Sequence, residues 1–179
     1  MLHLSGTLGY MNKARIRLIL DDLRSAGNVG SILRTSDACG VELIYACGTT
    51  PYPPVAQDTR PAHIIDSNRR SIAKTALGAR DRVPVHYHPN VGSAIREATS
   101  SGFNIIVLEQ TETSLNLFDY QPPNQPLALV LGNEVSGVSS TIVDQYPVLE
   151  LPMIGQKESL NVAVAAAIAL YWLRFITRG

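Results

Sequence analysis

The stretch "IRLILDDLRSAGNVGSILRTSDACG", residues 16–40, decides how the chain is read. Residues 16–20 are mostly apolar without strict alternation, the pattern of a strand covered on both faces. A polar turn follows, and residues 28–39 carry apolar side chains at helical spacing, with Asn28 as the candidate N-cap. A strand that turns into a helix near glycine suits a nucleotide site. This turn has neither the G-x-G-x-x-G of a dinucleotide loop nor the G-x-x-x-x-G-K-[ST] of a phosphate loop. It offers Asn28, Gly30 and Arg34 instead.

The same alternation continues outward. Strands are predicted at 41–47, 83–87, 104–110, 127–132 and 147–152. Helices are predicted at 69–78, 90–100, 139–146 and 159–175. Residues 48–70, rich in proline and polar side chains, read as a loop of unusual length, and such loops tend to be functional. Apolar strands alternating with helices indicate an α/β fold, a parallel sheet with helices on both faces. At 179 residues the chain suits one domain spanning 1–179. The final helix, "SLNVAVAAAIALYWLRFI", is apolar almost all round and must bury most of its surface, for which the sheet and a second copy of the chain are the candidate covers.

Composition narrows the function. Fifteen basic residues balance fifteen acidic ones, which disfavours a strong nonspecific nucleic-acid binder. Cys39 and Cys47 have no partners at metal-ligand spacing and sit among apolar residues, as small buried thiols do. No signal peptide is expected from the first residues, and the run "VAVAAAIALYWL" is shorter than the ~20 residues a membrane helix needs, so a cytoplasmic protein is expected.

In open α/β sheets ligands bind beyond the carboxyl ends of the strands, and four such ends carry unusual residues. The first has Asn28, Gly30 and Arg34; the second, Glu109 and Gln110; the third, "GNEVSGV" with Gly132, Asn133, Glu134 and Gly137; the fourth, "MIGQKESLN" with Ser159 and Asn161. Asn28 and Ser159 can equally be helix caps, and the glycines can serve turns. Arg34 calls for an anionic partner, for which Glu134 is one candidate. His3, His63, His86 and His88 are scattered, without a third ligand for a metal, so no metal site is expected. Basic residues gather at Lys13, Arg15 and Arg17 and at Arg60, Arg69, Arg70, Lys74, Arg80 and Arg82, as a solvated face or a surface that tracks phosphates beside the pocket. Tyr45, Tyr52 and His63 are candidates for stacking on bases.

Taken together, "NVGSILR", "LALVLGNEVSGV" and "LPMIGQKESLNVAVAAAIALYW" resemble, in order and spacing, the three motifs of the SpoU (TrmH) family of RNA ribose 2'-O-methyltransferases, of the SPOUT class. "KTALGARDRVPVHYH" is similar to the family's linking region, and the likeness covers about residues 15–175. The resemblance implies a C-terminal deep trefoil knot, S-adenosylmethionine as cofactor, and a homodimer formed through the knot and the C-terminal helix. It implies donor binding by Leu108, Gly132, Leu151, Ser159 and Leu160, and catalytic roles for Arg34, Asn28, Glu134, Ser159 and Asn161. The expected substrate is RNA, tRNA ahead of ribosomal RNA, gripped by Arg15, Arg60, Arg69, Arg70 and Lys74, with no separate RNA-binding domain. A noncatalytic RNA-binding dimer of the same fold is the alternative; a dinucleotide oxidoreductase is disfavoured by the missing G-x-G-x-x-G.

Overall fold

The computed structural model describes residues 14–122 and 124–175, so Lys13 and His3 lie outside the described residues. Seven strands form one sheet: β1 (Ile16–Asp21), β2 (Leu43–Cys47), β3 (Val85–His88), β4 (Asn104–Leu108), β5 (Leu115–Asn116), β6 (Leu127–Leu131) and β7 (Val148–Glu150). Their order is β3-β2-β1-β6-β4-β7-β5, and every pairing is parallel. The chain first lays strands outward from β1 through β2 to β3, then crosses to the other half of the sheet. That reversal places a topological switch point beside β1 and β6, where loops at the carboxyl ends part and leave a crevice.

Five helices cover the sheet: α1 (Ala26–Cys39), α2 (Ala62–Ala76), α3 (Val91–Ser100), α4 (Ser140–Val143) and α5 (Val162–Phe175). Successive strand residues point to opposite faces, so Leu18 and Leu20 join Ile32, Leu33, Ile72, Ala166 and Leu170 in one core, under α1, α2 and α5. Ile19 and Tyr45 join Ala94, Ala98 and Ile142 in the other, under α3 and α4. This is the expected α/β architecture with helices on both faces. Among the described residues, no helix is long and apolar enough to cross a membrane.

Two boundaries differ from the sequence prediction in ways that matter. Helix α1 begins at Ala26, because Ser25 rather than Asn28 is the N-cap: the Ser25 hydroxyl accepts the Asn28 N–H at 3.2 Å. Asn28 is therefore inside the first turn with its side chain free for other work. Helix α2 begins at Ala62 rather than 69, so the predicted loop is confined to residues 48–61. Only Ile72 and Ala76 of α2 are buried, which leaves little apolar periodicity to read. The helix instead docks through a glycine. A Cβ on Gly30 would stand 2.5 Å from the Ile72 carbonyl oxygen, and the Thr75 hydroxyl donates to the Gly27 carbonyl at 2.9 Å. Gly30 thus serves helix packing, not a ligand.

Asp21, the last residue of β1, is buried at 9% exposure. Burial, with the charge of Asp22 beside it, pushes its carboxyl up to about 6. The fold favours the protonated form, so its contribution to stability is present below the unfolded value near 4 and is lost as pH rises through about 6. From the 1.36 kcal/mol per pKa unit, we expect D21N to gain about 1–3 kcal/mol on the wild type between pH 4 and pH 7, read by urea unfolding at both pH values.

Candidate active site

Beyond the carboxyl ends of β4, β6 and β7 opens a cleft of about 300 Å³, within the range of small-molecule sites. Its apolar walls include Leu108, Leu131, Leu151 and Val162. Gly132, Ser159 and Leu160 also line it, so all five expected donor-binding residues meet here, contributed by three separate segments. Four carboxylate residues face it, Glu109, Glu134, Glu150 and Glu158, and no lysine, arginine or histidine is among its described lining residues. Such a cleft attracts a cationic group and repels phosphate.

A hydrogen-bonded clasp closes one side. The Asn28 amide donates to Glu134 Oε1 at 2.9 Å, and the Asn161 amide donates to Asn28 Oδ1 at 3.1 Å. The backbone N–H of Arg24 donates to Glu134 Oε2 at 3.0 Å. Asn161 is oriented in turn because its Oδ1 accepts the Ala163 N–H at 2.9 Å, capping α5. Final helix and capping residue thus start later than the sequence suggests, and Ser159 is a cleft residue rather than a cap. Burial pushes the Glu134 carboxyl up, but the donors from Arg24 and Asn28 outweigh it and hold it below the ordinary carboxylate range. An ionised Glu134 therefore ties the turn after β1 to the loop after β6.

That loop is fixed from below by two residues to which the sequence reading assigned no role. Glu109 Oε2 accepts the Val138 N–H at 2.9 Å. Gly137 has φ +66°, and a Cβ there would stand 2.5 Å from Glu109 Oε2, so the position requires glycine twice over. Asn133 donates to the Asp22 carbonyl at 2.6 Å and accepts the Val135 and Ser136 N–H groups. An acid at the end of a strand, facing a glycine turn, was the available signal for Glu109.

Arg34 is not brought into the cleft. It lies six residues beyond Asn28 on α1, about 9 Å further along the axis at 1.5 Å per residue. It is exposed, and Glu134, its suggested partner, is engaged by Asn28 and Arg24 instead.

The basic clusters are mostly spoken for. Arg15 and Arg17 stand at the amino end of β1, away from the cleft, and share Glu42 at 2.6 and 2.7 Å. Arg15 thereby holds the Glu42 carboxyl down at about 2. Arg60 pairs with Asp58, donates to the carbonyls of Tyr52 and Pro53, and packs 3.5 Å over the Tyr52 ring, so it staples its own loop. Arg80 pairs with Asp81 and Arg82 with Asp37. Arg69, Arg70 and Lys74 are exposed on α2, Arg69 paired with Asp66. Tyr45 is fully buried and Tyr52 is 8% exposed, which leaves His63 as the exposed member of the three stacking candidates. His88 pairs with Glu97 at 3.1 Å. Among the described residues no group of His, Cys, Asp or Glu is placed to hold a metal ion. Cys39 and Cys47 are buried free thiols, pushed up by burial to about 11 and about 12.

Over residues 15–171 the sequence matches the SpoU rRNA Methylase family. The chain belongs to this family. It is 32% identical over 165 residues to the 23S rRNA (guanosine(2553)-2'-O)-methyltransferase RlmP of Bacillus subtilis, a match covering 90% of this chain and 58% of that protein. Among solved structures, the AdoMet-bound rRNA methyltransferase from Sinorhizobium meliloti superposes with a TM-score of 0.70 at 25% identity, covering 88% of this chain and 54% of that one. The A. aeolicus TrmH/SpoU tRNA modifying enzyme gives 0.70 at 26% identity, covering 89% and 73%. The chain thus spans little more than half the length of the first two. The clasp joins the three stretches whose sequences resemble the family's motifs: Asn28 is from the first, Glu134 from the second and Asn161 from the third.

Proposed function

We propose that this chain transfers a methyl group from S-adenosylmethionine to a ribose 2'-hydroxyl of RNA, tRNA in the first instance. The observation that carries the reading is the cleft between the second and third motifs, apolar in its walls and lined by four carboxylate residues, to which the first motif is tied through Asn28. S-adenosylmethionine supplies, when bound, a methyl group on a positively charged sulfur. Leu108, Leu151 and Leu160 would cover its apolar parts, with Gly132 and Ser159 offering polar atoms at the rim. The carboxylates favour the charged donor over its neutral thioether product, which helps the product leave.

Arg34 would sit against the RNA phosphate next to the reacting ribose and the oxygen that gains negative charge. The hydroxyl proton would pass to phosphate or water as the ribose oxygen takes up the methyl group, because guanidinium groups are poor bases. Asn28 and Asn161 would hold the three segments in register. The reading extends to a knot formed by residues 151–161. It is supported by the path of the chain, which leaves β7 and returns to lay α5 against α1 across β4 and β6. It also extends to a homodimer in the cytoplasm. The outer side of α5 keeps Val164 and Tyr171 about half exposed, and Ile168, Tyr171 and Trp172 line an apolar groove of about 480 Å³ together with Phe118. A monomeric mass in light scattering would remove the dimer.

Two measurements test the function. Calorimetry should show S-adenosylhomocysteine binding and no binding of NAD, whose pyrophosphate meets the carboxylates. Tritiated donor should label bulk tRNA, with the label resistant to alkali at a 2'-O-methylated position. Identity to RlmP favours ribosomal RNA as the second substrate to test. Donor binding without label in either RNA would leave a binding protein of the same fold; no donor binding would overturn the reading.

A further inference from the structure

A second pocket opens at the same end of the sheet, beyond β2 and β3. It has a volume of about 350 Å³ and lies between the loop 48–60 and the first turns of α2. One wall is aromatic. Tyr87, on edge strand β3, keeps 45% of its surface exposed while its ring stacks on Tyr52, centroids 4.9 Å apart and planes 24° apart. Tyr52 is locked beneath it by the Arg60 guanidinium, 3.5 Å from the ring, and Arg60 is held by Asp58 and two loop carbonyls. The stack is therefore built in advance, so little ordering remains when something lands on it. The other walls offer short polar groups, Thr49, Thr59 and Asn68.

The pocket is joined to the cleft by one residue. Asp22, in the turn after β1, accepts the Thr49 N–H at 2.8 Å and hydroxyl at 3.0 Å through its side chain. Its carbonyl accepts the Asn133 amide of the cleft loop at 2.6 Å. On the exposed side of α2, Arg70 and Lys74 have no ion-pair partner among the described residues.

We propose that this pocket takes an unpaired nucleobase of the substrate RNA, stacked on Tyr87 and edge-read by Thr49, Thr59 and Asn68, beside the nucleotide that is methylated. A flat aromatic floor with small hydrogen-bonding walls is how proteins hold splayed-out bases, and Arg70 and Lys74 would accompany the phosphates. The proposal rests on the RNA methyltransferase reading and adds to it the place where the substrate is held.

Binding of bulk tRNA, titrated across salt, and S-adenosylhomocysteine calorimetry are compared for wild type, Y87A and Y87F. Y87A should lose roughly 5- to 150-fold in RNA affinity, the range for one stacked base, while Y87F stays within about twofold. The salt slope should not change, since no phosphate contact is removed, and S-adenosylhomocysteine should bind all three proteins alike. Independently of any variant, irradiating wild type with a short single-stranded RNA of mixed sequence bearing 5-iodouridine should place a cross-link on Tyr87 by mass spectrometry. Undiminished affinity in Y87A, or cross-links confined to other peptides, overturns the pocket's assignment and leaves the methyltransferase reading standing. Wild type that binds donor but no RNA overturns both.

Discussion

Arg34→Ala is expected to lower methyl transfer by roughly 10²- to 10³-fold, the usual cost of removing a donor aimed at developing negative charge, while S-adenosylhomocysteine binds as before. The two halves of this expectation have separate grounds. Arg34 stands about 9 Å along α1 from Asn28 by helical rise and is not among the described residues that line the cleft, so donor affinity has no reason to change. Its exposed position on α1 suits a group that meets RNA rather than donor. Arg34→Lys should recover only a small part of the loss, because an ammonium cannot bridge a phosphate and a neighbouring oxygen as a planar guanidinium does. Single-turnover labelling of RNA with tritiated donor, beside calorimetry, separates the effects. Near-normal labelling by R34A would remove the role; weakened donor binding would relocate it to the cleft.

Asn28→Ala is expected to act in the opposite way, on donor binding first. The Asn28 side chain is at once donor to Glu134 and acceptor from Asn161. Removing it leaves Glu134 to backbone N–H groups alone, Arg24's among them, and frees the N-terminus of α5 from the first turn of α1. Losing the two bonds should cost about 1–3 kcal/mol, which drawn from donor binding is roughly 5- to 150-fold in S-adenosylhomocysteine affinity. Asn28→Asp sharpens the test. It sets a second carboxylate against Glu134, so the pair can keep its contact only by sharing a proton. Donor binding by N28D should therefore be poor at neutral pH and improve as pH falls toward 5, where the wild type, whose Glu134 is held ionised by its donors, improves little. A flat pH profile for N28D would show that the clasp does not govern the cleft.

The parts of the molecule that could be read from sequence are those governed by short-range pattern. β1 and β6 are nearly unbroken apolar runs and lie in the middle of the sheet, where such runs must. The three motifs are recognisable, and Asn28, Glu134 and Asn161 join them beside one cleft. What could not be read depends on partners distant along the chain. Ser25 and Asn28 are equally good caps by residue type, and only the packing of α1 decides for Ser25. Arg15 looks available in the sequence, but Glu42 reaches it from 27 positions away. Arg60 looks like a phosphate ligand and is a loop staple. Tyr87 carries no signal of its own in the sequence and gains its meaning from Tyr52, which another loop brings under it.

The close crossing of α1 and α2 has an effect at a distance. With Gly30 backed onto the Ile72 carbonyl and Thr75 bonded to Gly27, the two helices share a seam with no slack, and the first turn of α1 cannot tilt by itself. Asn28 is mounted on that turn. A bulkier side chain slipped into the seam, on the far side of α1 from the donor, would swing the amide off its two partners, and a packing fault would masquerade as an enzymological one.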